Sequence, residues 1–360
     1  MTPVDLSTTV LHAVRRAVHE NVLRAPVPAR VRVERTRPGG RGDYASAVAL
    51  QLAGPAALTG REVAEILRDR IAGAPGIGRV EITGPGFLNF TLDASADTAA
   101  HRALLHDVRE RGPRYGHSDA LAGHPLQFSH PREVRAAVTA DAVRRLVRAQ
   151  GAPVRISCDE AADPDWARLG VSVDAEGRPP TPLTEIRPVP AGATAGELLD
   201  RLGADATRWG LLRPAGHDRA PLGDDLLVQG EANALFRVRY AHSRALALGR
   251  GAERLGFTAA TGRDIEDLTG AGAPALLALI GDHPAVLVAA AHHRAPDRLA
   301  RHLEAVALAF FDFHDSVPTL PPGDEKPSAA HRSRLALAEA AGTVLAGGLS
   351  LLGVSAPRHL

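Results

Sequence analysis

Lysine is almost missing from this chain: Lys326 is the only one in 360 residues. A phosphate loop of the G-x-x-x-x-G-K-[ST] kind is therefore excluded, because its lysine carries the charge that meets the phosphates. Cysteine is as scarce. With Cys158 alone, no internal disulfide and no multi-cysteine zinc site can form, and a reducing compartment is expected. Neither H-E-x-x-H nor C-x-x-C occurs, and His292, His293 and His331 stand among arginines without carboxylates at ligand spacing, so no metal and no cofactor are expected. Asp159 and Glu160 follow Cys158 and oppose thiolate formation; no nucleophile elbow is present. The longest apolar run, Ala285 to Ala291, is far short of a bilayer span, and no apolar signal-peptide core opens the sequence. A cytoplasmic protein with no membrane partner is expected.

An excess of one charge is missing too. The net charge is +1, so nucleic acid could be held only by local patches. The basic residues are nearly all arginine in a chain rich in Ala, Gly and Pro, which weakens each arginine as a signal. Asparagine is rare, at Asn21, Asn89 and Asn233 only, and its positions are correspondingly informative.

What is present is enough apolar material, 45% of residues, for a large core in two or three domains. Leu6, Val10, Val14 and Val18 recur at helical spacing and predict a helix over residues 6–23. Val31 to Arg35 alternates like a strand. The turn Pro38-Gly39-Gly40-Arg41-Gly42 leads through Asp43-Tyr44 to a helix over residues 45–53, and another helix follows Thr59. Arg79–Thr83 and Phe87–Leu92 read as strands around Gly84-Pro85-Gly86. In the second strand Leu88, Phe90 and Leu92 share one face, which points Asn89 and Phe87 outward. An outward Phe beside an outward Asn suits base stacking and hydrogen bonding, or a satisfied surface amide. Residues 94–112 and the run Val134, Val138, Ala142, Leu146 are helical in pattern. Between Gly151 and Ala195 prolines crowd, marking a loop-rich or linker segment with one strand-like stretch at Val154–Ser157.

Helical patterns dominate from Ala195 on. Leu198, Leu199 and Leu202 begin one helix, and Trp209 to Leu212 end the next. Pro284 and Pro296 are placed to open helices, where a missing N–H is harmless. Glu231 to Arg250 predicts about five turns, with Leu235, Val238, Ala245 and Leu248 on a core face. Phe236, Arg237, Tyr240 and Arg244 fall on a neighbouring face. Aromatic rings beside guanidinium groups suit stacking on bases and pairing with phosphates, and equally an ordinary solvated face.

These residues resemble a known family, the arginyl-tRNA synthetases. Gly42-Asp43-Tyr44 with Ser46, Arg61-Glu62-Val63-Ala64 and Gly84-Pro85-Gly86-Phe87-Leu88-Asn89-Phe90 look like their additional N-terminal domain, which contacts the tRNA D-loop. Asn233, Phe236 and Tyr240-Ala241-His242-Ser243-Arg244, then Arg298–Arg301, Ala309-Phe310-Phe311 and Gly348–Val354, look like their helical DALR anticodon-binding domain. The resemblance implies a multidomain α+β protein. Its parts would be a small α/β domain with an antiparallel-type sheet at residues 1–115, a loop-rich remnant of a catalytic domain at 116–192, and an all-α bundle at 193–360. It implies tRNA, arginine tRNA above all, as partner, with the authentic synthetase or another protein as a further one. Tyr44, Phe87 and Asn89 would face the D-loop, Phe236, Tyr240 and His314 would stack, and Arg237, Arg244 and Arg301 would meet phosphates.

The departures are specific. Where the family has H-x-G-H, the chain reads His130-Pro131-Arg132-Glu133-Val134, and Arg187-Pro188-Val189-Pro190 stands where a lysine loop belongs. Those groups stabilise a triphosphate during adenylate formation, so the expectation is a catalytically inactive paralogue, not an enzyme, with no catalytic residues. The end, Pro357-Arg358-His359-Leu360, and His314 in place of a Tyr also depart from the family. A protein-interaction adaptor that keeps the fold without binding RNA is the alternative.

Overall fold

In the computed structural model, the described residues are 3–36, 41–92, 94–123, 125–177, 184–265, 268 and 272–360. Residues 37–40 of the glycine-rich turn and Pro179, Pro180 and Pro182 of the proline-rich stretch lie outside them. The chain divides into two compact units, Met1–Ala103 and Leu104–Leu360.

The first unit begins with α1 (Pro3–His19), whose Leu6, Val10 and Val14 are fully buried. Four antiparallel strands follow in the order β1 (Glu34–Arg35), β2 (Tyr44–Ser46), β4 (Phe87–Leu92), β3 (Ile77–Thr83). The predicted strand at 31–35 is thus shorter, and the predicted helix at 45–53 starts later, as α2 (Val48–Ala56), because Tyr44–Ser46 pairs with β4. Helix α3 (Gly60–Ile71) opens with a capping box in which Thr59 and Glu62 satisfy each other's backbone N–H groups. Val63, Leu67 and Ile71 pack under Leu88 and Phe90 of β4. The β3–β4 turn presses on the start of α3. A Cβ at Gly60 would lie 2.7 Å from the Pro85 carbonyl, and Gly86 sits at φ +139°, open only to glycine.

Helix α4 (Ala94–Arg111) carries the chain into the second unit. Here the stretch expected to be loop-rich holds a parallel sheet of short strands in the order β7 (Ala175–Glu176), β6 (Val154–Cys158), β5 (Leu126–His130), β8 (Thr184–Glu185). Strand β5, helix α5 (Val134–Ala149) and β6 form a βαβ crossover, the connection that parallel neighbours require. Helix α6 (Ala195–Leu212) is bent where Gly203 leaves helical geometry, which matches the two successive helical patterns read there. The bundle comprises α7 (Ala234–Arg254), α8 (Ala273–His293), α9 (Pro296–Ser316) and α10 (Ala329–Leu352). One apolar core runs from Leu105 through Phe128, Val138 and Trp209 to Leu349 and Val354, so the sheet segment and the bundle fold around shared side chains. Helices α8 and α10 are long and apolar enough to cross a bilayer, contrary to the reading from uninterrupted runs, which missed hydropathy spread around Gly, Ser and His. Most of α10 is buried inside the bundle.

Pro296 opens α9 as expected, but Pro284 does not open a helix: it lies inside α8. A proline there leaves the carbonyl four residues earlier without its donor. That carbonyl is Ile280, and the buried Tyr115 hydroxyl donates to it at 3.2 Å, replacing the missing N–H. Tyr115→Phe is expected to destabilise the second unit by about 1–3 kcal/mol, the cost of a stranded buried acceptor; an unchanged denaturant midpoint would refute this role.

Next to Tyr115, His283 and His302 stack at 5.3 Å in the interior. Burial pushes His283 down to about 3, with neighbouring His302 adding to it, and His302 down to about 4. The unfolded chain takes up these protons as pH falls through 6.5, while the native state resists. Stability is therefore complete above pH 6.5 and declines from there towards pH 4, by at most about 2.7 kcal/mol per unit for two protons. Urea midpoints between pH 7 and 4.5 should show this slope, and His302→Phe should lessen it; a slope that His302→Phe leaves unaltered would place the protons elsewhere.

Candidate nucleic-acid interface

Helix α7 begins at Asn233, one of the three asparagines. Its Oδ1 accepts from the Leu235 and Phe236 N–H groups at 3.0 and 3.4 Å. Its Nδ2 donates to the Leu226 and Val228 carbonyls at 2.8 and 2.9 Å. A residue that caps the helix and anchors the preceding loop sets the rotation of α7. Leu235, Val238, Ala241 and Leu248 then face the core. Phe236, Tyr240 and Arg244 follow at i, i+4 and i+8 as a stripe on the outer side.

The stripe meets α9. Phe236 and Tyr240 stack at 5.5 Å, Tyr240 and Phe311 at 5.6 Å, and Phe310 and His314 at 5.9 Å. Arg244 Nε donates to His314 Nε2 at 3.1 Å. Phe310, fully buried, meets Phe311 edge-on at 5.6 Å, so a ladder of rings runs across two helices through Phe310 to His314 and ends on the Arg244 guanidinium. Tyr240 is 41% exposed, so its ring offers a face to solvent. Burial lowers the affinity of His314 for a proton, and the neighbouring Arg244 charge lowers it further, so the imidazole accepts from the guanidinium as a neutral ring. The structure thus brings together Phe236, Tyr240, Arg244 and His314, and adds Phe311. The A-F-F sequence was visible, but helical spacing alone did not show that Phe311 turns towards α7.

The other expected residues do not join this ladder. Arg237 is half-buried and donates to the Glu231 carbonyl within its own segment. Arg301 pairs with Asp297 on α9 and lines a separate cleft. In the first unit Tyr44 is buried in the core, with the Arg35 guanidinium 5.6 Å from its ring. Asn89 is on the face opposite Leu88 and Phe90, yet it is not outward in the sense expected, being 6% exposed. The strand period assigns the face but does not reveal that β2 and β3 flank this central strand and close over a short amide. Its Nδ2 donates to Thr83 Oγ1 at 2.6 Å and to the Phe87 carbonyl at 3.4 Å, bracing the turn. Phe87 itself is 39% exposed.

At the ends of the parallel strands, His130 is fully buried with Nδ1 at 2.9 Å from the Pro131 carbonyl. The Glu133 carboxylate accepts from the Ala136 and Ala191 N–H groups, both at 2.8 Å, and so caps α5. Cys158 is buried, and burial first, then Asp159 and Glu160, push its thiol up. Among the described residues no cluster of three His, Cys, Asp or Glu side chains could hold a metal ion.

Residues 238–360 match the family model of the DALR anticodon binding domain, and residues 6–92 that of the arginyl tRNA synthetase N terminal domain. The helical bundle is thus an anticodon-binding domain, which implies tRNA binding. Curated relatives include the arginine–tRNA ligase of Frankia alni, 29% identical, and that of Renibacterium salmoninarum, 27% identical, each aligned over the whole of both chains. The first alignment has 552 positions, so at least 192 of them face no residue of this 360-residue chain. Among solved structures, the Thermus thermophilus arginyl-tRNA synthetase has a TM-score of 0.71 at 14% identity, and the Plasmodium falciparum enzyme 0.72 at 9%, each covering both chains in full. The chain is thus arginyl-tRNA synthetase-like in sequence and fold. The expectation that it is not an enzyme is overturned, because the proteins matching its whole length carry the name of an enzyme, arginine–tRNA ligase. That expectation rests on two absent motifs and a short middle segment, and the relatives that align from one end of this chain to the other bear an enzyme's name.

If the Arg244 charge helps hold His314 neutral, Arg244→Ala should move the His314 titration upward in an NMR pH series. A midpoint that stays in place would mean that burial alone acts on the ring.

Proposed function

We propose that this chain binds arginine tRNA, with residues 193–360 engaging the anticodon arm and residues 1–115 the D-loop, on either side of the 116–192 segment. The observation that carries the reading is the ladder Phe236, Tyr240, Phe311 and His314 beside Arg244, lying within and just before the matched anticodon-binding region. Stacked rings take unpaired bases of any sequence, and a guanidinium beside them meets the backbone phosphate. In the N-terminal domain the exposed Phe87 supplies a ring for the D-loop. Asn89 holds the turn that presents it, Tyr44 supports the sheet from within, and Arg237 keeps its charge near the start of α7, whereas Arg301 is paired with Asp297.

If about four phosphates are neutralised, log K falls with log salt at a slope near −3. Filter binding of arginine tRNA between 50 and 200 mM salt should give that slope. Tyr240→Ala with Phe311→Ala should weaken binding about 10- to 100-fold at constant slope, the effect of losing one or two stacked bases. Binding indifferent to salt and to these substitutions would reject the proposal. A second reading, a protein partner, is favoured by the exposed Leu227, Val228 and Leu360, which line one cleft beside Phe236. Purified protein free of absorbance at 260 nm would support it over the RNA reading.

A further inference from the structure

A second positively charged feature lies at the opposite end of α9 from the ring ladder. A cleft of about 610 Å³ is bounded by the loop 214–218, by the end of α8 and by the first turns of α9. Four arginines line it, Arg135, Arg294, Arg298 and Arg301, against two aspartates, Asp218 and Asp297. Arg135 is committed to structure: its guanidinium donates to the carbonyls of Val189, Leu211, Pro214, Ala215 and Asp218, which shapes the wall. Arg301 is paired with Asp297. Arg294 and Arg298 are exposed and have no carboxylate partner among the described residues. Arg294 also occupies the left-handed region, φ +53°, at the C-cap of α8, a place glycine normally takes and where an arginine costs about 1 kcal/mol. Its guanidinium lies 5.8 Å from the centre of the Phe128 ring.

We infer that this cleft is a phosphate-binding subsite for the backbone of the same RNA, an inference that rests on the tRNA reading above. Guanidinium groups without carboxylate partners at an open rim fit the phosphodiester oxygens of a polyanion. No Phe, Tyr or Trp lines the cleft, so no aromatic ring is there to stack on a base, which favours backbone over a free nucleotide. Arg298 and Phe311 are separated by about 20 Å along α9 and by roughly 140° around it. The cleft therefore grips a different stretch of RNA from the ring ladder, and its contribution is charge without base identity.

The test is arginine tRNA binding by the full chain across 50–200 mM salt, comparing wild type, Arg294→Ala with Arg298→Ala, and Tyr240→Ala. Losing two phosphate contacts should reduce the magnitude of the salt slope by about 1.4–1.8 and weaken binding about tenfold or more at 50 mM. Tyr240→Ala should weaken binding with the slope unchanged. A double arginine variant with wild-type affinity and slope would overturn the cleft and leave the tRNA reading standing. A wild-type chain that binds no tRNA would overturn both. Should the double variant fail to fold, Arg298→Gln alone, exposed and unpaired, should show about half of the slope change, and none if the inference is wrong.

Discussion

The second unit depends on one buried ion pair. Arg208 of α6 is 1% exposed and donates to Asp141 of α5 at 2.7 Å, to the Leu169 carbonyl at 2.7 Å and to the Leu352 carbonyl at 2.9 Å. Asp141 also accepts from Arg145 at 3.0 Å. Burial pulls the guanidinium's proton affinity down while the Asp141 charge holds it up. A charge withdrawn from water in this way is tolerable only when it is paired and hydrogen-bonded, and removing either partner would strand the other. Four separate pieces of chain meet here: α5, α6, the short turn before Gly170 and the end of α10. Gly353 must lack a side chain, because a Cβ there would overlap the Arg208 guanidinium. The parallel-sheet segment and the anticodon-binding bundle are therefore joined by a contact that neither could satisfy alone.

That joint gives the surface features a rigid base. Helix α9 packs against α8, α7 and α10. Its C-terminal half adds Phe311 and His314 to the stripe on α7, and its first turns form one wall of the basic cleft. Asn233 caps α7 and anchors the loop before it, and Arg135 moulds the loop 214–218 through three of its five carbonyl contacts. In both places a polar side chain of a type that meets ligands is instead spent on the backbone. Tyr240, stacked with Phe236 and Phe311, and Arg294 and Arg298, without carboxylate partners among the described residues, are exposed.

Much of this was legible in one dimension. The period of α1, the helix following Thr59, the strands around Gly84–Gly86, the two successive helical patterns between Leu198 and Leu212 and the long helix over Glu231 to Arg250 all follow from local patterning. The misreadings share a cause. Pro284 reads as a helix start because the Tyr115 hydroxyl that replaces its missing N–H is 169 positions away in sequence. Asn89 reads as outward because alternation assigns a face without saying what covers it. Residues 151–195 looked like linker because strands of two to five residues between prolines have no period to detect. The reading of the chain as a non-enzyme rests on two absent local motifs and on the shortness of the middle segment, and it does not survive comparison along the full length.

The sequence by itself determined which segments are helical, which faces are apolar, that charge is balanced, and which family the chain resembles, because these are carried by neighbours in the chain. Only the tertiary structure decided that Phe236, Tyr240, Phe311, His314 and Arg244 form one ladder and that Arg301 belongs to another site. It also decided that Asp141 and Arg208 find each other in the core. Each of these depends on how helices distant in sequence are rotated against one another, and that rotation is set by core packing and buried hydrogen bonds, which no local pattern encodes.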